Sequence, residues 1–308
     1  MKVVGYLGGI PSPHKNLHKT KLISSIIEGV NKTGDIGILH QHRSIIHSDI
    51  GLIQGWVHAD SRHVPHLNLR RQVIANTHNK HTLIIDSNLF NYKVGLLHKM
   101  QYTRFSLDNI FPTQGYYFDS IVKPDRWSKI SKNLNLTLKP YRKTGSHILV
   151  CTQRNGGWSM KGLPVFNWLV DILNQLQKLS DRPIVVRTHP GDKKSRLYTD
   201  KIRFPNVTIS KKQSICEDFL DAWAVVTYNS SPGVAAAIEG LPCFITDPNP
   251  KDSQAYDIGN YSLQDIENPL LKNRENWIEK IAMSHWNLEE TASGEAWQHF
   301  KTCLENIK

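Results

Sequence analysis

The sequence is short of negative charge, of paired cysteines and of long apolar runs. Its 308 residues carry 27 Asp and Glu against 38 Lys and Arg, a formal net charge of +11 with fifteen histidines still to titrate. A field of that sign disfavours basic partners and favours polyanions such as nucleic acid, anionic glycans or phosphorylated small molecules, with a merely solubilising surface as the alternative. The four cysteines, Cys151, Cys216, Cys243 and Cys303, form no C-x-x-C pair and have no histidine at finger spacing. That speaks against a disulfide framework or zinc ribbon and for reduced, structural thiols. No apolar run approaches ~20 residues, and the opening MKVVGYLGGI is broken by glycine too early for a secretion signal. A soluble, cytoplasmic protein with no membrane partner is expected.

What is present is an α/β rhythm. Short apolar runs at 3–7, 36–40, 50–57 and 82–86 alternate with HKTKLISSIIEGVNK and NLRRQVIANTHNK, whose apolar residues recur at helical spacing. Such alternation predicts βαβ units and a parallel sheet. The signal blurs over 90–145, where KNLNLTLKPYRKTGSH reads as a linker, and then restarts. HILVCTQ, PIVVRTHP, NVTIS, AVVTY and CFITD are strands, with LPVFNWLVDILNQLQKL, SICEDFLDAW and PGVAAAIEG as helices between them. Two facing domains with parallel sheets are expected, over residues 1–145 and 146–270, followed at 271–308 by two helices separated by Asn287.

In open parallel sheets, ligands bind beyond the carboxyl ends of the strands, where loops lead into helices. Four such tips carry suggestive residues: LGGIPSPHKN, CTQRNGG with Arg154, RTHPGD with Arg187 and His189, and YNSSPG with Ser230, Ser231 and Gly233. Two hydroxyls, a proline suited to a first helical turn and a glycine permitting close approach make the last a phosphate-binding tip. Capping of the helix by Ser231 is the plainer alternative. Arg187 and His189 would supply charge and hydrogen bonds to the same phosphate, and Gly8 and Gly9 would bring backbone amides to substrate. Asp86, directly after an apolar strand, is the first candidate for a general base, with an Asx-turn or helix cap as the alternative. His58, Asp60 and Asp49 are further candidates.

RTHPGD followed by YNSSPGVAAAIEGLPCFI resembles the His-Pro and Ser-Ser motifs of GT-B glycosyltransferases, notably the capsule Kdo-transferase and polysialyltransferase group. The resemblance covers residues 147–246. It implies two Rossmann-like domains with C-terminal helices packing across, the first domain binding acceptor and the second a nucleotide sugar. His189, Ser230 and Ser231 would then hold the donor phosphate. Related motifs read S-S-x-G-x-E-A with the Glu on the ribose; Ala235 stands there instead, and the nearest carboxylate is Glu239. The resemblance further implies a hexosyl- or pentosyltransferase needing no metal or cofactor, with UDP as the expected nucleotide, and the sequence has no D-x-D pair.

The tail SHWNLEETASGEAWQHF resembles phage-encoded proteins with a W-x-x-E-E-x-x-S-G-x-A-W pattern. Together with the charge it directs the expected acceptor to a hydroxymethylated pyrimidine in double-stranded phage DNA, with Trp56, Tyr116 or Tyr117 stacking on a flipped base. The location would then be the cytoplasm of an infected host. An anionic surface polysaccharide is the alternative acceptor, and a non-enzymatic nucleic-acid-binding module the alternative function.

Overall fold

The computed structural model describes residues 1–57, 63–75, 77–93 and 102–306. The chain divides into two compact units, one comprising Met1–Asn88, Leu96–Ser128 and Glu279–Lys308, the other Leu89–Gly95 and Lys129–Ile278.

The first unit opens with β1 (Lys2–Tyr6), α1 (Leu17–Lys32), β2 (Ile36–His40), β3 (Ser48–Gln54), α2 (Pro65–Ile74), β4 (Asn79–Asp86) and β5 (Thr103–Leu107). Val3, Ile50, Leu52, Leu83 and Ile85 point to the α1 side of the sheet, while Val4, Ile53 and Ile84 point to the α2 side. This is the period of two that each apolar run carries. The strand β5 falls in the blurred region of the sequence because Thr103, Arg104 and Ser106 are polar residues buried within it. Its pairing with β4 is antiparallel.

The helix α3 (Arg126–Leu134) carries the chain from the first unit into the second. That unit contains β6 (His147–Cys151), α4 (Val165–Leu179), β7 (Ile184–Arg187), α5 (Arg196–Thr199), β8 (Val207–Ile209), α6 (Ile215–Phe219), β9 (Ala222–Thr227), α7 (Pro232–Ile238) and β10 (Cys243–Ile245). Its five strands are ordered β10-β9-β6-β7-β8 and every pair is parallel. Val165, Trp168, Leu169, Ile172, Leu173 and Leu176 form the apolar stripe that lays α4 on this sheet.

The stretch read as a linker is packed into the second unit. Arg142 donates to the carbonyls of Phe219, Leu220 and Ala222, and the Lys139 amide to that of Ile238. Gly240 lies so close to the Pro140 carbonyl that a Cβ there would sit 2.1 Å from its oxygen.

Two helices were expected in the tail; it holds α8 (Glu275–Ala282), β11 (His285–Trp286), α9 (Leu288–Ser293) and α10 (Glu295–Glu305). From Glu279 onward it belongs to the first unit. There β11 extends the sheet, giving the order β11-β5-β4-β3-β1-β2. Trp286 and Trp297 enter the core beside Phe105, Phe118 and Phe300. Asn287 caps α9 in a reciprocal capping box with Glu290, and Gly294 (φ +95°) ends it. A Cβ on Gly29 of α1 would meet the Thr291 carbonyl at 2.0 Å, so this helix crossing requires glycine. Trp286, Glu290, Gly294, Ala296 and Trp297 of the tail pattern thus each have a packing or capping role.

Burial lowers the pKa of His66, His147, His189, His285 and His299 from 6.5, to about 3 for His285, which hydrogen bonds through Nδ1 to the Ile281 carbonyl at 2.8 Å. Below pH 6.5 the unfolded chain therefore binds protons that the folded chain refuses, so stability is present above that pH and is lost as pH falls. In urea titrations the midpoint is expected to be level above pH 7 and to decline from about 6.5 downward. A midpoint unchanged between pH 7 and 5 would contradict this.

Candidate functional site

The tips that carried the sequence argument lie at the carboxyl edge of the second unit's sheet. Cys151 of β6 is in register with both Arg187 of β7 and Thr227 of β9, so the three strands end level. The His189 and Ser230 tips are not on adjacent strands, because β6 runs between them and separates them by two strand spacings, roughly 10 Å. The tip of β6 bridges to each side. Thr152 Oγ1 accepts the His189 amide at 3.2 Å, and Gln153 Nε2 donates to Asn229 Oδ1 at 2.8 Å. Asn229 in turn donates to Asp247 at 2.7 Å, and Lys161 pairs with Asp247 and Asp252. Gln153 is 3% exposed, and among the described residues its Oε1 has no hydrogen-bond partner. None of these bridging residues stood out in the sequence, although Thr152 and Gln153 lie in the CTQRNGG tip.

The tautomer of His189 follows from its surroundings. Nδ1 accepts the Gly191 amide at 2.9 Å, so the ring proton sits on Nε2, which is left to donate. Burial first, and the charge of Arg154 second, hold the imidazole pKa below its ordinary value. Ser231 is exposed at the start of α7 and its side chain makes no capping hydrogen bond, so simple capping does not account for it. Ser230 shares a 2.6 Å hydrogen bond with Thr227. The level ends of β7, β6 and β9 thus carry a histidine Nε2–H, Arg154 on the loop after β6 and a serine hydroxyl, groups suited to an anion.

Three expected site residues are committed elsewhere. Arg187 points along the sheet edge, donating to the carbonyls of Lys212, Gln213 and Ser214 and pairing with Asp218. It anchors the loop before α6. Gly233 is buried, and its missing side chain makes room for Thr227 at 3.3 Å and Ala255 at 3.6 Å, so helix packing already uses it. Glu239 ends α7, one seven-residue helix or about 10 Å from Ser231. It is 8% exposed and receives the Tyr92 hydroxyl at 2.8 Å, Lys93 at 2.7 Å and Lys139 at 2.5 Å. Burial alone would raise its pKa; Lys139, Lys93 and Tyr92 outweigh that and lower it. Ala235, at the position of the motif's Glu, is buried.

In the first unit the parallel strands β1 to β4 end at Tyr6, His40, Gln54 and Asp86, so Asp86 is the carboxylate among these strand ends. It faces Arg104 across the β4–β5 pair and the two form an ion pair. The Arg104 guanidinium also lies 5.8 Å from the Tyr117 ring centroid. Asp49 is near the opposite end of β3 and is held by the Lys2 amide at 2.8 Å and Lys80 at 2.9 Å, which removes it from the carboxyl edge. His58 and Asp60 lie outside the described residues. Gly8 is required by the approach of the His42 carbonyl, 2.5 Å from where a Cβ would stand, whereas a Cβ on Gly9 would meet the Arg70 side chain in ordinary contact at 3.4 Å.

Among the described residues no cluster of three or more His, Cys, Asp or Glu is arranged to hold a metal ion, and no helix is long and apolar enough to cross a membrane. No known protein family and no curated protein matches the sequence. Among solved structures, the β-Kdo 2,4-transferase of Thermosulfurimonas dismutans KpsC is similar at 11% identity with a TM-score of 0.57, over 92% of this chain and 91% of that one. The β-Kdo 2,7-transferase of the same protein is similar at 14% identity with a TM-score of 0.52, over 97% of this chain and 99% of that one. At such identities the likeness is one of architecture: this chain has the α/β fold of the GT-B type, with two Rossmann-like units.

Proposed function

We propose that the protein is a glycosyltransferase that moves a sugar from a nucleotide donor to a hydroxyl of an anionic glycan. The observation that carries this reading is the set of donors on the level tips of β7, β6 and β9: His189 Nε2–H, the Arg154 guanidinium and the exposed Ser231 hydroxyl. Departure of a nucleotide concentrates negative charge on its terminal phosphate, and preorganised donors at that point lower the barrier. The KpsC transferases that share the fold favour a glycan acceptor. Transfer to a hydroxymethylated pyrimidine of duplex DNA is the second reading, favoured by the net charge of +11.

The first unit would hold the acceptor, with Asp86 as the base that takes its hydroxyl proton. An Asp86→Asn variant is expected to lose transfer by about 10²-fold or more while binding donor normally. Retained activity would reduce Asp86 to the cross-strand partner of Arg104. The function itself is tested by incubating a panel of nucleotide sugars with acidic oligosaccharides and, separately, with hydroxymethylated duplex DNA, followed by mass spectrometry. A sugar-sized gain on the oligosaccharide is expected. Gain on a DNA base alone would establish the second reading, and gain on neither would overturn both.

A further inference from the structure

The first unit carries a second group of cations that the donor site does not use. Arg70, in the second turn of α2, is 6% exposed, with its guanidinium inserted between the ends of β1 and β3. Nε donates to the Gly9 carbonyl at 2.8 Å and Nη1 to the Trp56 carbonyl at 3.1 Å. Gly55 (φ +82°) leaves room for the guanidinium: a Cβ there would lie 2.9 Å from Nη1, while one on Gly9 would stand in ordinary contact, 3.4 Å from Arg70 Cγ. Among the described residues, Nη2 has no acceptor and the guanidinium has no carboxylate partner.

A buried guanidinium left without a counter-ion is costly unless something anionic comes to it. Its neighbours raise that cost. His66 stands four residues before Arg70 on α2, one turn away on the same face, and Lys19 is in the first turn of α1; both are half-buried, Arg70 repels the protonated form of each, and Arg43 adds to the field at His66. Burial and this crowding keep the pKa of Lys19 and of His66 below their ordinary values, and that of Arg70 itself falls to about 10 through burial. All of this sits at the carboxyl edge of β1 and β3, where open parallel sheets take their ligands.

We infer that Arg70, Lys19 and His66 form an anion subsite that receives a carboxylate of the acceptor glycan. The guanidinium supplies a recessed, planar donor for one compact anion and the lysine a mobile charge beside it. A duplex presents its phosphates as a regular row, which a single recessed guanidinium does not match. The anion's place in an acceptor rests on the glycosyltransferase reading; the subsite does not.

Two measurements separate the two. Histidine side-chain NMR, with His66 and His189 resonances assigned through His66→Gln and His189→Gln, follows acetate titrations against chloride at matched ionic strength. The His66 resonance is expected to move saturably with acetate, and the movement to be lost in Lys19→Gln, a half-buried substitution that leaves the Arg70 packing in place. An unresponsive His66, or the same response in Lys19→Gln, overturns the subsite whatever the enzyme does. In transfer assays, Lys19→Gln is expected to raise KM for an acidic oligosaccharide about 10-fold, to leave KM for the carboxyl-reduced oligosaccharide unchanged and to leave donor KM unchanged. A rise for both oligosaccharides, or for the donor alone, removes the carboxylate from this place.

Discussion

Replacing Glu290 by Gln is expected to destabilise the first unit by about 3–5 kcal/mol, the loss typical when one partner of a buried ion pair is removed. Arg126 and Glu290 are 2% and 3% exposed and meet through two hydrogen bonds, 2.7 Å from Nη1 to Oε1 and 2.8 Å from Nη2 to Oε2. The guanidinium also donates to the His285 carbonyl and lies 3.9 Å from the Trp286 ring centroid. A glutamine would turn an amide group towards two of those N–H donors and leave the charge uncompensated. It would also weaken the capping box, since Glu290 Oε2 accepts the Asn287 amide at 2.9 Å. The pair ties α3 to the β11–α9 corner, so its loss should release the tail that completes the core. Native-state hydrogen exchange reads this directly: protection of the β5 amides should fall in Glu290→Gln. A double variant, Arg126→Met with Glu290→Gln, should cost less than the sum of the single changes, because no charge is then left stranded. Wild-type protection in Glu290→Gln would mean that water or another group replaces the carboxylate.

The second unit was more legible than the first, and the reasons are local. Its strands are short apolar runs bounded by Pro, Gly or polar tips, and α4 carries its stripe at helical spacing, so periodicity located each of them. The first unit hides a strand because burial there falls on Arg104, Thr103 and Ser106, and hides another because β11 is only two residues long. Strand order is a different kind of information. RTHPGD and YNSSPG read as tips serving one phosphate, which would suit adjacent strands, yet β6 separates them, and nothing in either motif reports which strand lies between. Partners are equally silent: Arg187 looks like a phosphate ligand until the carbonyls of 212–214 and Asp218 are seen around it. Glu239 looks available until Lys93, Lys139 and Tyr92 close on it. Arg70 was visible only as half of an RR pair, and the signal that could have singled it out is Gly55, whose positive φ and missing side chain leave room for the guanidinium.

His189→Ala should lower kcat/KM for the donor by about 10²–10³-fold, the range for loss of one preorganised hydrogen bond to developing charge. The fold should survive, because His189 caps a loop at a strand end and its side chain makes one described hydrogen bond, from the Gly191 amide. His189→Gln, which can still present an N–H, should recover part of the loss. Ser231→Ala should cost less, about 10-fold, since a flexible exposed hydroxyl is less preorganised. The decisive comparison is the double variant. His189 and Ser231 stand on tips two strands apart, so two independent ligand groups or one shared phosphate could each explain the single effects. If both residues hold the same phosphate above the end of β6, removing one lets that phosphate shift away from the other. The double variant should then lose clearly less than the product of the single losses. Strict multiplicativity would place the two residues on separate parts of the donor and dissolve the shared phosphate cradle, even if each residue proved essential alone.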